Sequence, residues 1–376
     1  METKNLSAIC QYRRETVSVT NCDKKTFIST ENMLPNKAGI SLASKCPTSG
    51  NVSKYHPGDV LVSNIRPYFK KIHLANTSGT CSNDVLVFQP NHDVCTSEYL
   101  FCVLSTDDFF SYATTTAKGT KMPRGDRNAI MNYQINWIPV HEQSKIAEPI
   151  LNTYRKIKLN EQINDNLFAQ AKLLFDNEIA NVSSIPSEWK KGTLLDIATY
   201  TNGLAMQRFR PADDEIGIPV LKIKELRQGF CDSASELCST HINEEYLISD
   251  GDVIFSWSGS LLIDLWGGDI CGLNQHLFKL TSSEYPKWFY YLWTLHHLDR
   301  FITIAADKAT TMGHIKRGDL AQAEVIIPSN DDINRIGAAI SPIVNLIIAN
   351  KVESRKMAAL RDKMLIKLIT NAQNQS

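Results

Sequence analysis

The segment NWIPVHEQSKIAEPILNTYRKIKLNEQIN, residues 136–164, changes character at Pro139. An apolar, strand-like run ends at this proline, and a charged stretch with helical periodicity follows it. The same succession recurs near the C-terminus in EVIIPSNDDINRIGAAISPIVNLIIANKVES, residues 324–354, where Pro328 takes the place of Pro139. A chain that closes two segments with a strand, a proline and a long helix indicates an internal duplication.

Further matches support the duplication. The stretch PGDVLVSNIRP begins at Pro57 and DGDVIFSWSGS begins at Asp250, and AKGTKMPRGDRNAI corresponds to KATTMGHIKRGDL. The halves are least alike over residues 10–50 and 200–245, so we expect a shared scaffold with different loops. The residue pairs that define the shift are Gly58 and Gly251 (193 positions), Met122 and Met312 (190), Pro139 and Pro328 (189), and Asn160 and Asn350 (190).

Each half is predicted to be a mixed body followed by a helix. The β-branched runs GDVLVS, DVLVFQP, INWIPV, GDVIFS and EVIIP are bounded by Gly, Asp or Pro and predict strands. The stretches SEYLFCVLSTDDFFSYA and PKWFYYLWTLHHLDRFI have the apolar spacing of helices and occupy matching places in the two halves.

The two tails have heptad-like apolar seams. Pro149 and Pro342 predict a kink or a late start in the helices. Both seams are interrupted by an asparagine, Asn160 or Asn350, which either fixes the register of two paired helices or faces water. The residues predicted to pack between the tails are Ile146, Ile150, Ile157, Asn160, Leu167, Leu174, Ile336, Ile340, Ile343, Ile347, Asn350, Met357 and Met364.

Connectivity constrains how the tails pair. To bury its seam, the second helix should run back along the first, antiparallel to it. We therefore predict an α+β fold in which two mixed α/β domains are joined by two long antiparallel helices that form a coiled-coil spacer, a pseudo-two-fold internal repeat. The predicted boundaries are 1–140 for the first domain, 141–182 for the first spacer helix, 183–329 for the second domain and 330–376 for the second spacer helix.

Composition excludes several classes of protein. The 376 residues suffice for two domains, and 43% hydrophobic with 21% charged residues is an ordinary globular balance. We find no run of 18 apolar residues and no apolar core of a signal peptide, so no membrane span is expected. The nine cysteines include no CxxC pair, which favours reduced thiols in a cytoplasmic protein over a disulfide scaffold or a zinc site.

Catalytic motifs are missing. The sequence contains no GxxxxGK[ST], GxGxxG, HExxH, GxSxG or EF-hand pattern. The nine histidines are scattered, and His296 and His297 lie on an aromatic helix where a structural role is favoured. We predict no catalytic residue, no metal site and no cofactor bound by the chain itself.

Clusters of cations with small polar residues suit DNA, because Lys, Arg and hydroxyl groups bind phosphates and also read base edges. For a single cluster a solvated loop is the favoured interpretation, but one Gly/Thr/Met/Arg cluster recurs in both halves, which makes the two interpretations about equal. The formal net charge is +0, so a basic surface would be local and shared with partners. The candidate DNA-binding residues are Arg66, Lys70, Lys71, Lys118, Thr120, Lys121, Arg124, Arg127, Lys222, Lys224, Ser256, Ser258, Lys308, Thr310, Thr311, Lys316 and Arg317.

Several segments together carry a resemblance to a known family. In the first half they are GDVLVSNIRP and the run from GTKMPRGDRNAIMNYQINWIPVHEQSKIAEP to its helical tail, and in the second half they are EWKKGTLLDIATYTNG, GDVIFSWSG and KATTMGHIKRGDLAQAEVIIP. On these segments, nearly the whole chain resembles the specificity subunit of type I restriction-modification systems. The second tail reads PSNDDINRIG and lacks the Glu142–Gln143 pair of PVHEQSKIA.

The resemblance implies a non-catalytic subunit. Each body would be a target recognition domain for one half of a split, asymmetric double-stranded DNA sequence, and the paired helices would set the gap. Two methyltransferase subunits, which bind S-adenosylmethionine, and the ATP-binding restriction subunits would dock on it. Two other hypotheses remain open: a two-headed coiled-coil scaffold for proteins without DNA binding, and an enzyme with unrecognised chemistry.

Overall fold

The computed structural model describes residues 2–307 and 313–370. The chain divides into two compact units. Unit 1 comprises the residues up to Arg155 and those from Ala358 onward, and unit 2 comprises Lys156–Met357. Each unit therefore contains one body and segments of both tail helices.

In the described residues up to Arg155, unit 1 contains three sheets, three α-helices and the beginning of the first tail helix. Its strands are β1 (Glu2–Asn5), β2 (Cys10–Tyr12), β3 (Thr16–Ser18), β4 (Phe27–Ile28), β5 (Asn51–Tyr55), β6 (Val60–Ser63), β7 (Ile72–Leu74), β8 (Gly79–Cys81), β9 (Val85–Pro90) and β10 (Gln134–Trp137). Its helices are α1 (Ser97–Leu104), α2 (Asp107–Thr115), α3 (Arg127–Met131) and the beginning of α4 (Val140–Phe175).

Unit 2 repeats much of this order. Its strands are β11 (Lys190–Thr193), β12 (Thr199–Asn202), β13 (Ile218–Leu221), β14 (Leu237–Cys238), β15 (Leu247–Ile248), β16 (Val253–Ser256), β17 (Leu262–Leu265), β18 (Cys271–Leu273), β19 (Leu277–Thr281) and β20 (Glu324–Ile327). Its helices are α5 (Leu194–Ile197), α6 (Ile223–Gln228), α7 (Lys287–His296), α8 (Leu298–Asp307), α9 (Arg317–Ala321) and most of α10 (Asn330–Thr370).

The sheets of the two units share one topology. The order β2-β9-β6-β7 in unit 1 matches β12-β19-β16-β17 in unit 2, and both sheets are antiparallel. The second sheets of the two units correspond in three strands, in the order β5-β8-β4 in unit 1 and β15-β18-β13 in unit 2, and each contains one parallel pair. Unit 1 adds β3 beside β5, whereas unit 2 adds β14 beside β13, at the opposite edge. The duplication thus kept the frame and changed the edges.

The Gly-Asp-Val turns explain the strongest sequence match. Gly58 and Gly251 have φ of 88° and 89°, a left-handed conformation that favours glycine. The aspartate after each glycine closes its turn, since Asp59 accepts a hydrogen bond from the His56 N–H at 2.8 Å. Asp252 accepts the equivalent bond from the Ser249 N–H at 2.9 Å. The turn delivers β6 or β16 to the centre of its sheet.

Aromatic helices cover these central sheets. In unit 1, α1 and α2 bury Tyr99, Phe109 and Phe110 against β6 and β9. In unit 2, α7 and α8 bury Trp288, Phe289 and Phe301 in the corresponding core. The predicted helical stretch of unit 1 breaks at Thr106, whose hydroxyl accepts from the Phe109 N–H at 3.2 Å and starts α2.

The tail helices α4 and α10 pack together, which confirms the predicted α+β fold with two sheet-containing halves and two long helices. Within unit 1, Ile150 and Leu151 of α4 share a buried cluster with Leu365 of α10. Within unit 2, Phe175 of α4 and Ile340 of α10 share another. The helices run antiparallel, because early residues of α4 meet late residues of α10. Both begin well before Pro149 and Pro342, so the expectation of a late start is wrong.

The two tails start differently, which explains the loss of the Glu-Gln pair from the second one. The Gln143 side chain is fully buried, accepts from the Thr96 N–H at 2.7 Å and donates to the carbonyls of Val94 and Ile138 at 3.0 Å. At the start of α10, Asp332 instead accepts from Trp189 Nε1 at 2.9 Å. Each pairing ties a helix to its own body.

The described residues include one helix, α10, that is long and apolar enough to cross a membrane. The apolar face of this helix has a partner, because Ile336, Ile340 and Val344 are buried in the core of unit 2. Packing in the protein therefore accounts for part of its apolar character, since 28% of its most apolar stretch is buried.

One pair of cysteines departs from the expectation of reduced thiols. Cys22 and Cys46 form a disulfide with their Cα atoms 6.3 Å apart, so that expectation is wrong for this pair. The segment between them folds back on itself, which sequence spacing did not indicate. The other seven cysteines are free.

Candidate nucleic-acid interface

One turn organises the candidate site in each unit, and the two turns are equivalent in the internal repeat. The turn at residues 82–84 joins β8 to β9 in unit 1, and the turn at residues 274–276 joins β18 to β19 in unit 2. Their backbones are held alike: the Val85 N–H donates to the Ser82 carbonyl at 2.9 Å, and the Leu277 N–H donates to the Asn274 carbonyl at 3.0 Å. We call these the recognition turns of unit 1 and unit 2.

Each recognition turn is tied to the end of the central strand. In unit 1 the Asn64 N–H donates to the Asp84 carbonyl at 2.9 Å, and in unit 2 the Trp257 N–H donates to the His276 carbonyl at 3.4 Å. A second loop joins the same place through a β-bridge, Ile65 with Arg124 in unit 1 and Ser258 with His314 in unit 2. The bridges are related by the shifts found in the sequence.

In unit 1 this arrangement gathers several of the predicted cations. Arg124 forms an ion pair with Asp84 at 3.2 Å, and Arg127 Nη2 donates to the Asn83 carbonyl at 3.1 Å. Lys118 is paired with Asp126 at 2.6 Å. Two predicted clusters that are distant in sequence therefore lie side by side at one recognition turn.

The remaining predicted residues of unit 1 divide between two places. Arg66 has a left-handed φ of 51°, its backbone N–H donates to the Pro123 carbonyl at 2.8 Å, and its buried Nε has no hydrogen-bond partner. Thr120 and Lys121 are exposed on the same loop as Lys118.

Lys70 and Lys71 turn away from this loop. Lys70 pairs with Asp107 at 3.0 Å. The Lys71 ammonium donates to the Thr30 carbonyl at 2.5 Å, and burial lowers the pKa of its side chain. The structure thus does not bring these two lysines to the recognition turn.

Unit 2 brings three aromatic side chains together at its recognition turn, and one of them, His314, takes the place of Arg124 in unit 1. The Trp257 ring lies 6.1 Å from the His276 ring and 6.3 Å from the His314 ring, measured between centroids. Trp257 Nε1 donates to Asn202 Oδ1 at 2.9 Å. Ser258 is buried, and its hydroxyl is hydrogen-bonded to His276 Nδ1 at 3.0 Å. This recognition turn therefore carries a cluster of tilted aromatic rings in place of the Arg124–Asp84 ion pair of unit 1.

A cleft of about 320 Å³ opens beside the unit 2 recognition turn. Two predicted lysines stand at it: Lys222 is paired with Glu236, and Lys224 is exposed with its nearest Asp232 oxygen at 3.5 Å. The sequence patterns do not predict the other polar residues that line the cleft. The lining residues are Gln207, Lys222, Ile223, Lys224, Asn274, Gln275 and His276.

The other predicted residues of unit 2 have separate surroundings. Ser256 is fully buried and its hydroxyl donates to the Ser258 carbonyl at 3.2 Å, so it holds the strand end. Lys316 and Arg317 are exposed at the start of α9, which follows the loop bridged to Ser258. Lys308, Thr310 and Thr311 lie outside the described residues.

The asparagines predicted in the helical seams face each other. Asn160 is 1% exposed and Asn350 is 9% exposed, so neither faces water. Asn160 Nδ2 donates to the Asn350 carbonyl at 3.3 Å and to Glu353 Oε2 at 2.9 Å. Asn350 Nδ2 donates to Asn164 Oδ1 at 2.8 Å.

The apolar seam residues join the cores of their own units. Ile150, Ile336, Ile340 and Ile347 are buried, and Ile157 and Met357 are half-buried. Additional residues outside the predicted seam, among them Leu151, Val344 and Arg361, are also buried, because each helix packs on a body as well as on its partner. The partly buried seam residues that pack on the cores are Ile146 and Met364 in unit 1, and Leu167, Leu174 and Ile343 in unit 2.

Signals for the missed residues exist in the sequence. SNDVLVF at Ser82 and NQHLFKL at Asn274 are separated by 192 positions and both place a polar triplet directly before a strand. Among the residues that the structure describes, no group of three or more His, Cys, Asp or Glu side chains is arranged to hold a metal ion.

The chain is similar to known proteins in sequence and in fold. A sequence profile described as "Type I restriction modification DNA specificity domain" matches residues 186–356. The chain is 22% identical over 301 residues to the type I restriction enzyme MjaIX specificity subunit of Methanocaldococcus jannaschii, covering 74% of this chain and 69% of that protein. It is 31% identical over 161 residues to the HindI specificity subunit of Haemophilus influenzae, covering 40% of this chain and 34% of that protein.

A solved structure extends the match to both halves. The crystal structure of the type I restriction-modification S subunit from M. genitalium aligns with 98% of this chain and 96% of its own, with a TM-score of 0.55 at 11% identity, and shows the same fold. The profile covers the second half, and the repeated sheet order extends the same frame to the first. The chain belongs to the specificity subunits of type I restriction-modification systems, the non-catalytic subunits that determine the DNA target of these multi-subunit enzymes.

Proposed function

We propose that the two bodies are target recognition domains, each of which reads one half of a bipartite, asymmetric double-stranded DNA sequence. Residues 1–140 form the first domain and 183–329 the second, with 141–182 and 330–376 as spacer helices. One observation carries this proposal: the recognition turns have the same backbone hydrogen bonds but different side chains, Asn83 and Asp84 in unit 1 against Gln275 and His276 in unit 2. A shared frame with different polar groups suits two unlike half-sites.

Phosphate contacts come from the exposed cations beside the turns. In unit 1, Lys118, Lys121, Arg124 and Arg127 stand on or next to the loop bridged to Ile65. Their partners Asp84 and Asp126 are side chains that a phosphate can replace, since exposed ion pairs contribute little. The remaining proposed contacts are Arg66 and Thr120 in unit 1, and Lys222, Lys224, Lys308, Thr310, Thr311, Lys316 and Arg317 in unit 2, with Ser256 and Ser258 supporting the turn. Lys70 and Lys71 lie away from the recognition turn and are not among these contacts.

The spacer helices set the gap between the two half-sites. Asn160 and Asn350 pair at one level of α4 and α10, which fixes how the antiparallel helices align. A sliding of one helix past the other would leave these buried amides without partners, at a cost of about 1–3 kcal/mol for each group. A fixed alignment is what a measuring element requires.

The subunit works inside a larger assembly. We propose that two methyltransferase subunits dock on it and supply S-adenosylmethionine, and that restriction subunits supply ATP-dependent chemistry in the cytoplasm. The formal net charge of +0 supports shared phosphate binding, because a chain that held DNA alone would carry a basic excess.

Binding measurements test this function against the alternative of a two-headed protein scaffold. The chain is combined with its methyltransferase partner and titrated into duplexes of different sequence at about 50 mM and about 200 mM salt. We expect sequence-dependent binding that weakens as salt rises. Assembly with the partner but equal, salt-independent behaviour with all duplexes would favour the scaffold.

A further inference from the structure

The cleft in unit 2 has a polar composition that the cation clusters do not explain. Two carboxamide side chains, Gln207 and Gln275, line it together with His276. The described residues lining it include two lysines and no carboxylate. Both lysines are paired with carboxylates outside the lining, Lys222 with Glu236 at 2.5 Å and Lys224 with Asp232 at 3.5 Å, so the cleft offers mainly uncharged donors and acceptors.

Backbone contacts hold the two glutamines in place. The Gln275 N–H donates to the Leu204 carbonyl at 2.8 Å, and the Leu204 N–H donates to the Leu273 carbonyl at 2.9 Å. Gly203 permits this approach, because a Cβ at that position would lie 2.2 Å from the Asn274 carbonyl oxygen. The segment that carries Gln207 is therefore fixed against the turn that carries Gln275.

The carboxamides themselves remain available to a ligand. Gln207 is exposed and Gln275 is half-buried. Gln275 Nε2 lies 3.4 Å from His276 Nε2, a long contact that a better partner replaces. Asn274, by contrast, is buried, and its Oδ1 accepts from the His276 N–H at 3.2 Å, so it shapes the turn.

We infer that Gln207 and Gln275 read the major-groove edge of an adenine in the half-site recognised by unit 2. A glutamine carboxamide accepts from adenine N6 and donates to adenine N7, a pairing that no other base offers in the same pattern. Exposed Lys224 at the rim of the cleft takes a neighbouring phosphate, and the Trp257 and His276 rings cover the sugar or base beside it. This assignment rests on the proposed function.

The equivalent place in unit 1 supports a role in specificity. There the counterpart of Gln275 is Asn83, whose carboxamide is already engaged, since it accepts from the Ser53 hydroxyl at 3.0 Å and donates to the Asn51 carbonyl at 3.1 Å. Asp84, the counterpart of His276, is paired with Arg124 at 3.2 Å. A carboxylate or a freed arginine reads cytosine or guanine rather than adenine. The same backbone therefore presents two chemistries, as two unlike half-sites require.

Substitution of the glutamines tests the assignment without threatening the fold. We would express Gln207→Ala, Gln275→Ala and the double variant with the methyltransferase partner in cells that lack other adenine methylation, and sequence the methylome. Gln322→Ala, an exposed glutamine of unit 2 outside the cleft, is the matched control. Lys224→Ala provides the pattern expected for a phosphate contact.

We expect the glutamine variants to accept other base pairs at one A·T position of one half-site, with discrimination there falling about tenfold to a hundredfold. The other half-site and the gap stay unchanged, whereas Lys224→Ala lowers methylation of all sites alike. A glutamine variant with an unchanged motif, or with a uniform loss like that of Lys224→Ala, would overturn the assignment. If the unaltered chain directs no bipartite methylation, the proposed function fails, and this assignment with it.

Discussion

Asn160 and Asn350, 190 positions apart in the sequence, meet across α4 and α10, where Asn160 Nδ2 donates to the Asn350 carbonyl at 3.3 Å. Each is the counterpart of the other in the internal repeat. A duplicated residue that contacts its own copy explains why both tails keep an asparagine at a position that is otherwise apolar. The pair is a buried polar contact at one level of the helical seam.

Removing the contact between Asn160 and Asn350 should destabilise the helix pair. We expect Asn160→Ala to lower the free energy of unfolding by about 1–3 kcal/mol, because the buried Asn350 carbonyl and neighbouring groups lose a donor. Urea unfolding of the chain, followed by circular dichroism, measures the change. Asn166→Ala, an exposed asparagine on the same helix, is the control, and an equal effect of both substitutions would contradict a role for the pair.

Lengthening both helices should lengthen the gap in the DNA target. We would insert four residues before Asn160 and four before Glu353, which lie at the same level because their side chains are 2.9 Å apart. The added length is about 6 Å at about 1.5 Å per residue, close to two base-pair steps of about 3.4 Å. Methylome sequencing should show both half-sites kept and the gap increased. A stable, active variant with the original gap would show that the helices do not measure distance.

Lys121 should contribute to affinity without contributing to sequence choice. It is exposed on the loop that joins the unit 1 recognition turn, and a phosphate contact there releases counterions. We expect Lys121→Ala to reduce the slope of log binding constant against log salt by about 0.9, with the same preferred sequence. Lys158→Ala, on the exposed surface of α4, should leave the slope unaltered. A changed sequence preference in Lys121→Ala would mean that it reads a base.

His297 should make unit 2 sensitive to acid. Its Nε2 lies 2.8 Å from the Glu324 carbonyl of β20, and burial lowers its pKa. The unfolded chain takes up the proton at the ordinary value of about 6.5, before the folded chain does. The stabilising contribution is therefore fully present above that value and is lost as the pH falls below it.

Replacing His297 by glutamine, a neutral hydrogen-bond donor, tests whether its protonation lowers stability at acid pH. Wild-type protein should lose stability between about pH 7.5 and about pH 5.5, on either side of the ordinary histidine pKa, and His297→Gln should lose less. Denaturant midpoints at the two pH values measure the difference, with His92→Gln, an exposed histidine of unit 1, as the control. Equal pH dependence in wild type and His297→Gln would show that His297 is not responsible.

The sequence predicted the repeated frame because its signals are local. β-branched runs bounded by Gly, Asp or Pro identified the central strands β6, β9 and β16, and helical periodicity identified α4 and α10. The pairing of the tails followed from connectivity and burial. These features depend on residues that are near one another in the chain.

The candidate site is harder to predict from the sequence than the fold, since it is built from contacts between segments that are distant in the chain. The bridge between Ile65 and Arg124 brings two predicted clusters together, and no local pattern indicates it. The sequence predicts Ser256 as a DNA-binding hydroxyl, but it is fully buried, because the strand extends through it. Clusters of cations do not indicate Gln207 and Gln275, because carboxamides read bases without charge.

The most direct measurement is methylome sequencing of cells with and without this gene, in the presence of the partner methyltransferase genes. The account predicts a bipartite, asymmetric motif, methylated on adenine, that disappears when the gene is deleted and returns when it is restored. Identical methylomes with and without the gene, or loss of a continuous motif that has no gap, would contradict the claim that two unlike domains each read half of one target.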